Sequence, residues 1–289
     1  MDSLARTTWT DIADGRRLGV GMGEVGITDR NMLALRREHP SLLIHKHSVH
    51  EEVRTGADWE WWLGTSAGWV CLVFQAKLLN AHARYAGLTK GREEGKPQVD
   101  VLLRSCLRRS ERLNGTVWPL YCFYNSWQGV WPRDVPRFDG TDPRMMSTEE
   151  LRLYGCAAAD AWSVRRVLLD SNYSGRRTVR DSYLPVSQPW SMIFADPAES
   201  TINGPGPTMM TTLAASVSGR AQLPPGLQPV DTAEADSGEE GRRDRQAIYR
   251  DPVLIIRPPD YVFDLLEGTI QPRRLKPLAR RVVILPESY

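Results

Sequence analysis

The apolar positions between residues 57 and 79 first alternate and then run together. In ADWEWWLG (57–64) aromatic and acidic residues take turns, the period of a strand with two unlike faces. WVCLVFQAKLL (69–79) is apolar on both faces, the pattern of a strand central in its sheet. The TSAG connection between them is short enough to make the two strands hairpin neighbours. SLLIHKHSVH (41–50) and VWPLYCFYN (117–125) predict two further strands. Helices are predicted around them. Residues 3–17 place Leu4, Trp9 and Ile12 on one side. ITDRNMLALRREHP (27–40) has Thr28 or Asp29 to cap it and Pro40 to end it, with Met32, Leu33 and Leu35 as its apolar side. QVDVLLRSCLRRSERLNG (98–115) gathers Val99, Leu102, Leu103, Cys106, Leu107 and Leu113 on one side and stops at Asn114-Gly115. The order from residue 28 to 125 is helix, three strands, helix, strand, an α/β unit ending near residue 128.

The second half is less periodic. A connector rich in proline and tryptophan, SWQGVWPRDVPRFDG (126–140), leads to a predicted helix over 148–169 and an extended segment over 182–196. DTAEADSGEEGRRDR is charged and lacks aromatic residues, which predicts a mobile loop over about 231–246. Strand and helix character returns in DPVLIIRPPDYVFDLLEG (251–268) and ARRVVILP (279–286). The expected organisation is an α/β core with an N-terminal helix over 1–128 and an elaborated α+β C-terminal half over 129–289.

Successive strand residues point to opposite faces. Asp58 and Glu60 therefore share one face of the second strand, Gln75 and Lys77 share one face of the third, and the two pairs converge at one end of the sheet. A carboxylate and an amide oxygen there suit a hard divalent ion such as Mg²⁺, which keeps waters and takes substrate phosphates. A neighbouring ammonium can stabilise charge on a five-coordinate phosphorus or help to deprotonate the attacking water. Together these are the parts of a phosphodiester-hydrolysing site.

Asp58 followed by Gln75-Ala76-Lys77 resembles the PD-(D/E)XK nuclease superfamily, and QAK is similar to the Q-x-K motif of its Mrr-type endonucleases. The resemblance spans about a third of the chain. It implies a restriction-endonuclease-like core with a mixed central sheet. Asp58 and Gln75 would be metal ligands and Lys77 the catalytic lysine. Glu24, in GMGEVGITD just before the predicted helix, would be an accessory metal or water ligand, and Glu60 is a further acid able to take that place. The implied activity is Mg²⁺- or Mn²⁺-dependent endonucleolytic cleavage, with double-stranded DNA as the expected partner and bacterial defence against foreign DNA as the setting. Such an enzyme calls for restraint by a regulatory protein, by homo-oligomerisation or by the second half of the chain. The alternatives are an inactive protein that keeps the fold for binding or scaffolding, and a ribonuclease.

Other motifs carry less. GTSAG (64–68) matches the nucleophile elbow of hydrolases, but a strand follows it where a helix is required, and no histidine lies beyond His82. GMGEVG (21–26) lacks the preceding strand of a dinucleotide site. His45, His47 and His50 lack a convincing further ligand for zinc and read as polar positions of an edge strand. Arg104, Arg108 and Arg112 stand at i, i+4, i+8 opposite the apolar side of their helix, suited equally to tracking phosphates or to facing solvent. The formal net charge of +2 demands no anionic partner, so any nucleic-acid surface is a local patch. The four cysteines include no C-x-x-C pair and read as free buried thiols. There is no secretory h-region and no membrane-spanning run, so the expected compartment is the cytoplasm and no membrane partner is expected.

Overall fold

The computed structural model describes residues 1–46, 55–65, 68–89, 97–127, 147–169, 175, 177–193, 253–269, 277 and 279–286. The segment 231–246, His47 and His50 lie outside these residues. Helix α1 spans Asp2–Arg17 and α2 Glu24–Glu38, followed by strands β1 Leu43–Lys46, β2 Ala57–Thr65 and β3 Gly68–Leu78. Helix α3 spans Gln98–Leu113 and β4 Val117–Tyr124. The second half contributes α4 Thr148–Arg152, β5 Cys156–Asp160, α5 Ala161–Leu169, β6 Ser187–Pro189, α6 Asp260–Leu266 and β7 Ala279–Leu285.

The fold is α/β around one mixed sheet of seven described strands, in the order β1-β7-β2-β3-β4-β5-β6. β2 and β3 pair antiparallel, with Thr65 opposite Gly68, so GTSAG closes a hairpin and leads into a strand. β3 and β4 run parallel, connected through α3. The boundary placed near residue 128 is not a break in the sheet. β4 continues into the pair β4–β5, and β7 lies between β1 and β2, antiparallel to the first and parallel to the second.

Alternation sorts the side chains into two cores. Trp59, Trp61, Leu72, Phe74, Leu120 and Cys122 face the layer of α1 and α2. Trp62, Cys71, Val73, Tyr121 and Phe123 face the layer of α3, α5 and α6. All four cysteines are free and buried. α1 is locked onto the second half by a close approach at Gly155, where a Cβ would stand 2.0 Å from Ala5 O. Any side chain there drives α1 away from the sheet.

Two boundaries differ from expectation. α2 begins at Glu24, with Gly23 in its N-cap position. Thr28, expected as a cap, lies inside the helix, and its hydroxyl bonds Glu24 O at 2.9 Å and the Tyr124 hydroxyl at 2.9 Å. The predicted helix 148–169 is two helices with β5 between them. Asp160 ends β5 and caps α5, accepting hydrogen bonds from Trp162 N at 2.8 Å and Ser163 N at 3.2 Å.

Burial pushes the Asp160 carboxyl up to about 6, against the opposing pull of these N–H donors and of Arg166. A carboxyl raised above its unfolded value near 3.9 adds stability below that value and loses it as pH rises through about 6. Asp160→Asn keeps a capping oxygen but cannot ionise. The variant is expected to match or exceed wild type at pH 7.5 and to lose this advantage by pH 4, a relative swing on the order of 1–3 kcal/mol. Melting curves at the two pH values measure it, and parallel curves for the two proteins would rule out a titrating Asp160.

Candidate functional site

The hairpin brings the motif together. The β2–β3 register runs Trp59↔Phe74 and Glu60↔Val73, so one step further Asp58 stands beside Gln75. The Gln75 side-chain Nε2 donates to Asp58 Oδ2, and the backbone N–H of Ala76 donates to the same oxygen at 2.7 Å. Gln75 Nε2 also donates to its neighbour's carbonyl, Ala76 O, at 3.0 Å. The other end of the amide, Oε1, accepts from Gln98 Nε2 at 2.6 Å. Gln98 is the first residue of α3. That helix reaches the strand ends because Gly56, with φ +75°, leaves room for it: a Cβ there would stand 3.3 Å from both Gln98 O and Leu102 N.

Lys77 lies two residues beyond Gln75 and therefore on the same face of β3. It is 6% exposed, and among the described residues its ammonium has no hydrogen-bond or ion-pair partner. Its stem is packed along the strand, as for a lysine that buries its methylenes and leaves only its tip for water or a ligand. Laterally, Gln75 is paired with Tyr121 and Lys77 with Phe123 across β3–β4. The Tyr121 hydroxyl is buried without a hydrogen-bond partner among the described residues. Burial raises its pKa, with the charges of Asp58, Asp100 and Glu24 adding to the effect.

Glu24 opens α2, where a carboxylate suits the positive end of the helix. Its Oε2 accepts from Leu78 N at 3.0 Å, just past Lys77. A cleft of about 470 Å³ opens there, lined by Arg16, Met22, Glu24, Leu78, Leu79 and Asn80 among others. Arg16 closes one side of it by donating to Leu79 O and to Ser126 O.

Glu60 has different surroundings. Its carboxylate is fully buried, with Oε1 accepting from Trp62 Nε1 at 3.1 Å and from the Tyr261 hydroxyl. Arg109 Nη1 donates to that hydroxyl at 3.3 Å, and its guanidinium sits 5.9 Å from the Tyr261 ring centroid. Burial alone would lower the Arg109 pKa, but Tyr261 and Glu60 raise it above its ordinary value. Glu60 thus joins β2 to α3 and α6 through a buried polar network.

Another charged group braces the site from the α2 side. Arg281 of β7 donates to Asp29 at 2.7 Å and to Asp58 O at 3.4 Å, and Lys46 of β1 also donates to Asp29 at 2.7 Å. Burial tends to raise the Asp29 pKa, but the hydrogen bonds from Arg281 and Lys46 hold it below the usual value. Of the proposed phosphate-tracking stripe, Arg108 and Arg112 are exposed, whereas Arg104 is half-buried and donates to Asp100 O at 3.2 Å. His45 is half-buried on β1.

The donor set allows a simple fit test for a divalent cation. Asp58 Oδ2 and Ala76 O converge on one point, which Gln75 Nε2 occupies with a positively polarised N–H group. Two convergent oxygens around a positive group fit a hard cation whose remaining ligands are waters or phosphate oxygens. Among the described residues no three His, Cys, Asp or Glu side chains are grouped to hold a metal, so the fit rests on one carboxylate, a carbonyl and an amide. Gln98, Tyr121 and Arg281 were not singled out from the sequence. Only Gln98 left a local trace, as the polar first residue of an amphipathic helix. No described helix is long and apolar enough to cross a membrane.

A comparison with curated proteins finds no match. A protein-family model described as DUF6615, a family of unknown function, matches residues 1–288, and the chain belongs to that family.

Proposed function

We propose that this protein is a metal-dependent endonuclease acting on double-stranded DNA. The observation that carries the reading is the hydrogen-bonded contact of Asp58 with Gln75-Ala76 on a hairpin whose next inward-facing side chain is the buried, unpartnered Lys77. In this reading Asp58, Gln75 and Ala76 O hold Mg²⁺ or Mn²⁺, which would supply Lewis-acid activation of water and phosphate. Lys77 holds its ammonium against the scissile phosphate or the attacking water, where negative charge is redistributed in the transition state. Glu24, tied to Leu78 N beside the open cleft, orients water on the α2 side. Glu60 is left out of the ligand set because Trp62 and Tyr261 engage its carboxylate. A setting in antiphage defence goes with the nuclease reading.

A second reading is a non-catalytic nucleic-acid-binding or scaffold protein that keeps the fold. The observation favouring it is that Asp58 Oδ2 is already satisfied by two protein donors.

One assay separates the two readings. Purified protein is incubated with plasmid DNA and, separately, with RNA in Mg²⁺ or Mn²⁺, with and without EDTA. Metal-dependent cuts in the plasmid that disappear with EDTA and in Asp58→Ala are expected. Binding of DNA without cleavage in either metal selects the scaffold, and cleavage confined to RNA makes the enzyme a ribonuclease.

A further inference from the structure

We propose that Gln98 is a positioning residue that holds the Gln75 amide with its N–H side in the cation position, so that loading a divalent ion requires this amide to turn. The proposal rests on the metal-dependent reading above and deepens it by assigning a control to the site. Its geometry is that of one amide with both ends engaged. The Gln98 donor takes Gln75 Oε1, the atom a cation would need. The Gln75 donor takes Asp58 Oδ2 and Ala76 O, the two oxygens a cation would share. Each bond favours the same orientation. A cation repels the N–H group and attracts the carbonyl oxygen, so binding favours the amide turned by half a revolution. The turned amide gives up its acceptance from Gln98 and faces α3 with a donor. The state described here is therefore satisfied without metal, and Gln98 makes that satisfaction complete.

The location gives this coupling its reach. Gln98 opens α3, and α3 begins against the Gly56 backbone at the foot of β2. Asp100, two residues further on, pairs with Arg165 of α5 at 2.6 Å. A shift of the α3 N-terminus therefore moves the Gln98 donor relative to Gln75, and contacts made on α3 or α5 act on the cation position through that one hydrogen bond.

The test uses Mn²⁺ alone, titrated calorimetrically into the full chain, for wild type, Gln98→Met, Gln98→Glu and Asp58→Ala, with a melting curve for each. Gln98→Met keeps the length of the side chain, adds no charge and removes the donor. Its Mn²⁺ affinity is expected to rise about 3- to 10-fold, the weight of one net hydrogen bond. Gln98→Glu accepts from the turned amide and is expected to rise further. Asp58→Ala is expected to lose the binding. Equal or weaker binding by Gln98→Met overturns the proposal, and should that variant melt early, equal or weaker binding by Gln98→Glu overturns it instead. Unaltered binding by Asp58→Ala places the cation elsewhere and overturns it as well, as does an absence of binding in all four proteins. Failure of the nuclease reading is read separately: a wild type that binds Mn²⁺ through Asp58 but cleaves no nucleic acid ends that reading and leaves the Gln98 titration to decide this one.

Discussion

In the nuclease reading proposed above, Lys77→Met is expected to lower single-turnover cleavage about 10²- to 10³-fold while leaving the melting temperature equal to wild type or higher. The two directions come from the same fact. Lys77 is 6% exposed and, among the described residues, has no partner for its charge. Confining a charged side chain to a mostly buried position without a partner for its charge costs stability, and an apolar side chain of similar length removes that cost. A group that contributes mainly in the transition state, by contrast, is lost entirely. Mn²⁺ affinity in this variant should remain near wild type, because the residues that converge on the cation position are untouched. Cleavage that survives the substitution would remove Lys77 from the chemistry. A melting temperature that falls sharply would instead show that the ammonium has a structural partner after all.

Arg109→Met is expected to destabilise the fold by about 3–5 kcal/mol, the cost of leaving a buried carboxylate without its balancing charge. The carboxylate is that of Glu60, fully buried and hydrogen-bonded to Trp62 and Tyr261. Arg109 reaches the same network through the Tyr261 hydroxyl and ring. Adding Glu60→Gln to Arg109→Met should recover much of the loss, because a neutral amide needs no counter-charge. Chemical denaturation of wild type, the single variant and the double variant gives the coupling directly. A loss below about 1 kcal/mol in the single variant would mean that Glu60 is not ionised in the folded protein.

The parts of the fold that a local pattern encodes were legible in the sequence. The alternation of tryptophans and acids in β2, the two-faced apolar run of β3 and the stop at Asn114 are local signals, and the structure places β2, β3 and α3 where those signals lie, with Asn114 in the left-handed region that closes the helix. The convergence of Asp58 with Gln75 follows from a hairpin and a two-residue period. Other elements resisted for physical reasons. CAAAD (156–160) is rich in alanine, whose intrinsic preference is helical, and only pairing with β4 and β6 makes it a strand. Gly23 gives a weaker start signal than Thr28, yet the helix begins beside Gly23 because Thr28 finds its partner in Tyr124, far along the chain. The contacts that finish the site come from Gln98, Tyr121 and Arg281, on α3, β4 and β7. Nothing in a window around Asp58 announces them. The place of β7 between β1 and β2 is a matter of topology, and local periodicity carries no information on it.

That placement has a kinetic consequence. On a translating ribosome every other described strand of the sheet has been made before residue 279 is added. Until then β2 lacks one neighbour and β1 has no place in the sheet. Asp29 and Arg281, which meet across 252 residues of sequence, close one of the longest loops in the molecule. Contacts of such separation form late, because the entropy of closing the loop is lost before the contact rewards it. The nascent protein therefore carries Asp58, Gln75 and Lys77 for much of its synthesis on an unfinished sheet. The edge of β2 is open during that interval, and it is the natural place for a chaperone, or a second nascent copy, to bind.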